Sequence, residues 1–222
     1  SVAERLYAVV RNAAKETGKQ VKLDIEGGTI EVDRGVLERM TPAFEHLLRN
    51  CVGHGIESPA VRLQAGKPAQ GVITVGVQQE GNDVSVAFRD DGAGLDVERI
   101  RAKALEQGLI AADTPVDGAK AAELIFMPGF STATAVTGLS GRGIGMDVVR
   151  SEVQALGGAI ETLTTAGQGS SFRMVLPLTT AVTQVVMLRV GDFSVGVPAN
   201  LMETVRRVTV AELEEAYRTG GL

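Results

Sequence analysis

Tryptophan is absent from the 222 residues, tyrosine occurs twice, and histidine and cysteine occur twice and once. So few aromatics leave little for stacking on bases, and a net charge of −5 gives no basic face, so no nucleic-acid partner is expected. A lone cysteine, Cys51, excludes a disulfide within the chain and points to a reducing, cytoplasmic setting. It reads as a small hydrophobe on the back of its helix. No apolar run approaches the ~18–20 residues of a membrane span, and Ser1–Arg5 does not read as the start of a signal peptide. No direct membrane insertion is therefore expected. What remains is ordinary globular composition, 44% hydrophobic and 22% charged, with 27 glycines whose distribution is uneven.

The pattern along the chain predicts a helix over 1–17 stopped by Gly18, a strand from Val21, and a short strand Thr29–Val32. A long helix follows over 34–52, capped by Asp33, with a break expected near Thr41 because Pro42 lies inside it. Ser58-Pro59 starts a short helix. Strands 72–76 and 84–88 flank a hairpin at Glu80–Asp83, Asp96 caps a helix to about Gln107, and Val116–Phe126 is helical. Residues 128–143, rich in Ser, Thr and Gly, read as a mobile loop. A helix Ile144–Leu156 and strands 159–164 and 171–176 complete the first 178 residues. Helices mixed with antiparallel hairpins, without a strict βαβ rhythm, favour an α/β two-layer sandwich: a mixed sheet with helices on one face. Pro177–Ala181 looks like a boundary. Beyond it Val185–Val190 and Phe193–Val197 form a hairpin, with a further strand near Glu203–Val208. These 40-odd residues (182–222) are too few to bury a core of their own.

Three stretches carry chemistry. In the first, His46, Asn50 and His54 stand at i, i+4 and i+8 and form one polar stripe, with Leu47, Leu48, Cys51 and Val52 behind it. The histidines lie ~12 Å apart along the axis, too far to share one metal ion or act as a catalytic pair. Asn50 offers an amide oxygen suited to a Mg²⁺ that keeps most of its waters. In the second, Asp90-Asp91-Gly92-Ala93-Gly94 follows a strand end, where a carboxylate can accept from an exocyclic amine. The same residues equally make a plain β-to-α turn. In the third, Ser140-Gly141-Arg142-Gly143-Ile144-Gly145-Met146 opens a helix and bares backbone N–H groups at its positive end, an anion site. It is neither a Rossmann fingerprint nor a P-loop, for want of a preceding strand and of a lysine.

The ordered set resembles the GHKL ATPase superfamily and, within it, the CheA-type chemotaxis sensor histidine kinases. The carrying segments are 46–50, 54–57, 90–96, Phe126–Thr132 and 140–149, and the match covers roughly residues 1–178. The resemblance implies the GHKL (Bergerat) ATP-binding fold, with ATP and Mg²⁺ as cofactors. It implies that Asn50 holds the Mg²⁺, Asp90 takes the adenine amine, and Gly92 and Gly94 give the base room. Residues 127–141 would be the ATP lid, with Phe130 in it and Ser131 and Thr132 near the phosphates. Ser140, Gly141, Gly143, Gly145 and Met146 would cradle phosphate, Ser170 would line the adenine pocket, and His54 would face the nucleotide. His46 stands where hydrolysing relatives place a glutamate, and would position or polarise the γ-phosphoryl group. Residues 182–222 resemble the opening of a CheW-like coupling domain.

The implied reaction is transfer of the γ-phosphoryl of Mg·ATP to a histidine on a separate phosphotransfer domain. A CheW-like adaptor, a chemoreceptor-type protein and a response regulator are the implied further partners, the full-length protein being dimeric. A hydrolysing ATPase and a nucleotide-binding scaffold are the alternatives. One departure is Gly53, where the family commonly has aspartate; it removes a carboxylate and costs ~1 kcal/mol of helix stability relative to alanine.

Overall fold

A computed structural model of the chain describes residues 1–27, 32–130 and 144–177, together with the backbone of 185–190 and 193–198. Its contacts divide the chain into two units, Ser1–Leu178 and Thr179–Leu222. Among the described residues no helix is long and apolar enough to cross a membrane.

The first unit is built on a five-stranded mixed sheet of order β1-β2-β3-β5-β4. Its strands are β1 (Val21–Glu26), β2 (Gly71–Glu80), β3 (Asp83–Asp90), β4 (Ala159–Thr165) and β5 (Gly169–Pro177). β1 pairs with β2 in parallel, and the other pairs are antiparallel. The registers align Ile25, Val75, Phe88, Phe172 and Thr162 in one row across the sheet, with Val77, Val86, Met174 and Ile160 in the next. The opposite face carries Glu26, Gly76, Ala87, Arg173 and Glu161 in one row. One face is apolar and the other polar, so helices can cover only one. The α/β two-layer sandwich expected from the sequence is what the chain forms.

The covering helices bury the stripes their periodicity announces. α1 (Val2–Thr17) buries Leu6, Val10, Ala13 and Ala14; Ser1 and Glu4 form its capping box, and Gly18 closes it at φ 65°. α2 (Arg34–Asn50) is capped by Asp33, whose Oδ1 accepts from Gly35 and Val36 N–H at 2.7 and 3.2 Å. It runs through Pro42 without the expected break. Proline in a helix interior costs ~3 kcal/mol, but here it faces solvent while Met40, Thr41, Ala43 and Phe44 around it are buried. Packing of that stripe outweighs the single lost backbone hydrogen bond. No strand precedes α2 at Val32, and the rest of the expected strand 29–32 lies outside the described residues.

α3 (Pro59–Gln64) is capped by Ser58, α4 (Val97–Glu106) by Asp96 and α5 (Gly118–Leu124) by Asp117, while α6 spans Met146–Ala155. α5 is shorter than expected at both ends. In the second unit β6 (Val185–Val190) and β7 (Phe193–Pro198) pair antiparallel, as the hairpin reading expects. The strand expected near 203–208 lies outside the described residues.

Candidate functional site

α2 does not end where its apolar pattern does. It passes into a π turn, Cys51–Gly55, in which Ile56 N–H donates to Cys51 O at 2.8 Å. Such single π turns concentrate at functional sites. Lys19, just past α1, donates from Nζ to Val52 O at 2.7 Å and Gly53 O at 2.9 Å, satisfying carbonyls of the turn. Below it opens a cavity of about 530 Å³, within the size range of small-ligand sites. His46, Asn50, His54, Asp90, Gly94, Phe130, Met146 and Ser170 all line it, brought together from α2, β3, β5 and the start of α6.

Asp90 closes one end. It is only 8% exposed, and its Oδ1 accepts from Gly92 N–H at 3.0 Å and Ser170 N–H at 3.4 Å. Burial raises its pKa; the two N–H groups and the Cys51 thiol, which hydrogen-bonds it, pull the other way, and Asp91 adds to the rise. Three glycines make this possible. A Cβ at Gly55 would come 2.9 Å from Asp90 Oδ2, one at Gly92 2.0 Å from Gly55 O, and one at Gly169 1.9 Å from Asp90 O. Gly92 therefore does not border the cavity; it lets the Asp90 turn lie against the π turn. Gly94, at φ 81°, does border it.

The lining is also cationic. Arg49, Arg99 and Lys103 border the cavity beside His46 and His54. Among the described residues, two buried atoms there have no hydrogen-bond partner: His46 Nδ1 and Arg49 Nε. His46 Nε2 accepts from the Asn50 amide nitrogen at 3.3 Å, so the neutral ring carries its proton on Nδ1. Burial first, then Arg49 and His54, lower the His46 pKa to about 4, with Asp147 opposing. His54 is exposed, yet desolvation of its ring, followed by Arg99, Lys19 and Lys103, lowers its pKa from 6.5. Both rings are uncharged at neutral pH. The Asn50 nitrogen also donates to Met146 Sδ at 3.2 Å.

Among the described residues no group of three or more His, Cys, Asp or Glu side chains could hold a metal. With its amide nitrogen engaged, Asn50 makes no hydrogen bond through Oδ1 among the described residues, leaving one hard oxygen bordering the cavity. That donor set fits a Mg²⁺ whose other ligands are water and a polyphosphate, and fits no all-protein cage.

Gly145 lies just outside the cavity lining as the N-cap of α6. Ser131, Thr132, Ser140, Gly141 and Gly143 lie outside the described residues, as does most of the expected lid. Sequence reasoning passed over Lys19, Arg49, Gly55, Arg99, Lys103 and Gly169, and read Cys51 only as a hydrophobe. Arg49 was findable, standing one turn from His46 and next to Asn50, and so were Arg99 and Lys103, one turn apart on α4. Nothing local marks Lys19 or Gly169.

A family model described as histidine kinase-, DNA gyrase B- and HSP90-like ATPase matches residues 37–180. A chemotaxis protein CheA from Rhizobium meliloti is 40% identical over 206 residues, 92% of this chain and 27% of the relative. A gliding motility regulatory protein from Myxococcus xanthus is 42% identical over 221 residues, 99% of this chain and 28% of the relative. The chain thus spans little more than a quarter of either. Among solved structures, a histidine kinase domain from an Erythrobacter litoralis blue-light activated histidine kinase gives a TM-score of 0.45 at 17% identity, covering 80% of this chain and 61% of that one.

Proposed function

The chain belongs to the histidine kinase-, DNA gyrase B- and HSP90-like ATPase family, as a domain of the CheA type, and from that premise we propose that it binds Mg·ATP in the cavity below the π turn and passes the γ-phosphoryl group to a histidine on a separate phosphotransfer domain. The observation that carries the reading is the make-up of the cavity lining: a buried, hydrogen-bonded carboxylate, three cationic side chains and, among the described residues, two buried nitrogens without a hydrogen-bond partner. Adenine carries an exocyclic amine and triphosphate carries negative charge, so one nucleotide can meet both the carboxylate and the cations.

In this reading Asp90 accepts from the adenine amine while Gly92 and Ser170 N–H hold its carboxylate in place. Gly94 lets the backbone come close to the base. Arg49, Arg99 and Lys103 offset phosphate charge, with Phe130, Ser131, Thr132 and the glycines 141, 143 and 145 completing the enclosure. Asn50 would hold a Mg²⁺, which would supply charge neutralisation at the phosphates. Catalysis is then mostly positioning and electrostatic stabilisation. His46 is suited to phosphoryl transfer more than to hydrolysis. Its one available lone pair is taken by Asn50, so it does not readily accept a proton from water, while Nδ1–H remains to donate to an oxygen anion.

Neither His46 nor His54 is the acceptor in this scheme, because both face the nucleotide. A CheW-like adaptor, a chemoreceptor-type protein and a response regulator are the further partners proposed, with 182–222 as the start of a coupling domain. The test is incubation with γ-labelled ATP, Mg²⁺ and a supplied histidine phosphotransfer domain. Label on the acceptor histidine, lost in His46→Ala with ATP binding retained, is the expected result. Release of free phosphate with an unlabelled acceptor would overturn it in favour of a hydrolase, and normal ATP binding with neither product would favour a scaffold.

A further inference from the structure

Behind the Asp90 turn, away from the cavity, lies a dense polar cluster that the scheme above leaves without a task. The Arg62 guanidinium is 1% exposed. It donates to Glu57 Oε1 at 2.9 Å, Asp91 Oδ2 at 3.1 Å, Pro68 O at 2.7 Å and Asp91 O at 3.2 Å. Lys67 Nζ donates to Glu57 Oε2 at 2.7 Å, Asp91 O at 3.0 Å and Gly92 O at 2.9 Å. Burying a guanidinium is costly unless it is well paired, and here it makes four hydrogen bonds, two of them to carboxylates.

The geometry of two peptide groups gives the cluster a consequence in the cavity. In a trans peptide the C=O and the following N–H lie in one plane and point opposite ways. Asp91 C=O points to Lys67 and Arg62, and in the same plane Gly92 N–H points to Asp90 Oδ1. Gly92 C=O points to Lys67, and Ala93 N–H points to Gly55 O at 2.9 Å. Each peptide is thus held at its carbonyl by a cation and at its N–H by the site. A carbonyl that accepts from a cation is polarised, and its peptide N–H becomes a stronger donor.

We propose that Lys67 and Arg62 are positioning residues for adenine recognition, acting on Asp90 and on the π turn through the Asp91–Gly92 and Gly92–Ala93 peptides. The proposal rests on the reading of Asp90 as the group that accepts the adenine amine. The two side chains orient and strengthen the Gly92 N–H that keeps Asp90 a fixed, ionised acceptor. The groups facing Asp90 are Asp91 from its own turn, the Cys51 thiol from the π turn and the Ser170 N–H from β5. Replacing Lys67 with methionine weakens the Gly92 donor, so Asp90 protonates at higher pH and presents a less defined oxygen.

The experiment compares ATP with purine riboside triphosphate, which lacks the 6-amino group, binding to the whole chain between pH 5 and 8. Taking the ratio of the two affinities cancels the phosphate contacts and the titration of His46 and His54, which both ligands share. In the unaltered chain the ratio favours ATP and falls as pH drops through the Asp90 titration. Lys67→Met, a substitution at a side chain still 20% exposed and so the safer of the two to remove, is expected to cut the ratio about tenfold, one hydrogen bond's share. It is also expected to move the acid fall to higher pH, with Lys67→Arg restoring both.

A purely structural role would weaken both ligands alike at every pH. A Lys67→Met chain that keeps the ratio and its pH midpoint, or fails to fold while Lys67→Arg behaves the same, overturns the proposal and leaves the Asp90 reading intact. An unaltered chain that shows no preference for ATP overturns the Asp90 reading itself.

Discussion

Two glycines two residues apart in the π turn should respond to the same substitution with opposite signs. At Gly53 an added Cβ meets nothing within 4 Å, and the residue does not adopt a positive φ. Alanine there removes backbone freedom from the unfolded chain without strain and should stabilise by about 0.4–1 kcal/mol. At Gly55 the Cβ would come 2.9 Å from Asp90 Oδ2, 3.1 Å from its Cγ and 3.2 Å from Oδ1. The carboxylate cannot retreat without giving up its bonds to Gly92 and Ser170, so alanine acts as overpacking and should cost about 1–3 kcal/mol. For a unit of this size each kcal/mol moves the melting temperature by about 2–4 °C. Thermal unfolding should therefore place Gly53→Ala a few degrees above the unaltered chain and Gly55→Ala several degrees below it. ATP affinity should fall only in Gly55→Ala, because only there is Asp90 displaced. Shifts of the same sign, or a Gly55→Ala chain of undiminished stability and affinity, would refute the packing argument.

Asp90→Asn keeps the shape but presents an amide where an anionic acceptor stood, and ATP affinity should drop at least tenfold, read by calorimetry; unchanged affinity would remove adenine from that end of the cavity. The His46 pKa is lowered from 6.5 to about 4 by burial, so below pH 6.5 the unfolded chain binds a proton that the folded one refuses. That contribution to stability is intact above pH 6.5 and is lost as pH falls to about 4, amounting to about 3 kcal/mol. Urea unfolding of His46→Gln should accordingly show a shallower acid slope than the unaltered chain, and parallel slopes would contradict it. Arg62→Met removes the buried guanidinium from the cluster while Glu57 keeps Lys67 and the Asp91 carboxylate stays half-exposed, so the denaturation midpoint should fall by the equivalent of about 1–3 kcal/mol; a change under about 0.5 kcal/mol would mean that water replaces the guanidinium.

The fold was legible where a local pattern and its burial agree. The alternations in 72–76 and 84–88 become β2 and β3, the stripe in residues 1–17 becomes α1, and the caps assigned to Asp33 and Asp96 are made by those side chains. It was illegible where tertiary packing overrides a local cost, as at Pro42, or where a turn depends on contacts from elsewhere. The π turn is such a case. Residues 51–55 carry two glycines and would read equally well as a fraying helix end; the two bonds from Lys19, 33 and 34 residues earlier, hold it. No window along the sequence contains both halves of that interaction.

The site divides in the same way, and Asp90 shows why. Its identity as an acceptor could be read from its place at a strand end. Its environment could not, because that environment is made of backbone: Gly55 from the π turn, Gly92 from its own turn and Gly169 from β5, 35 residues before, two after and 79 after it. Each gives up a side chain so that a main chain or a carboxylate can stand where a Cβ would be. The sequence shows three glycines among 27; only the fold shows that they pack around one residue, Asp90, and its turn. Alanine at Gly92 or Gly169 should therefore reproduce the Gly55→Ala phenotype, lost ATP affinity along with lost stability. Because a Cβ at those two would approach backbone at 2.0 and 1.9 Å, and backbone yields less than a side chain, the loss should be larger there. A denaturation series over the three that ranked Gly55→Ala as the most damaging would show that the Asp90 carboxylate, and not the main chain around it, is the less yielding part of the site.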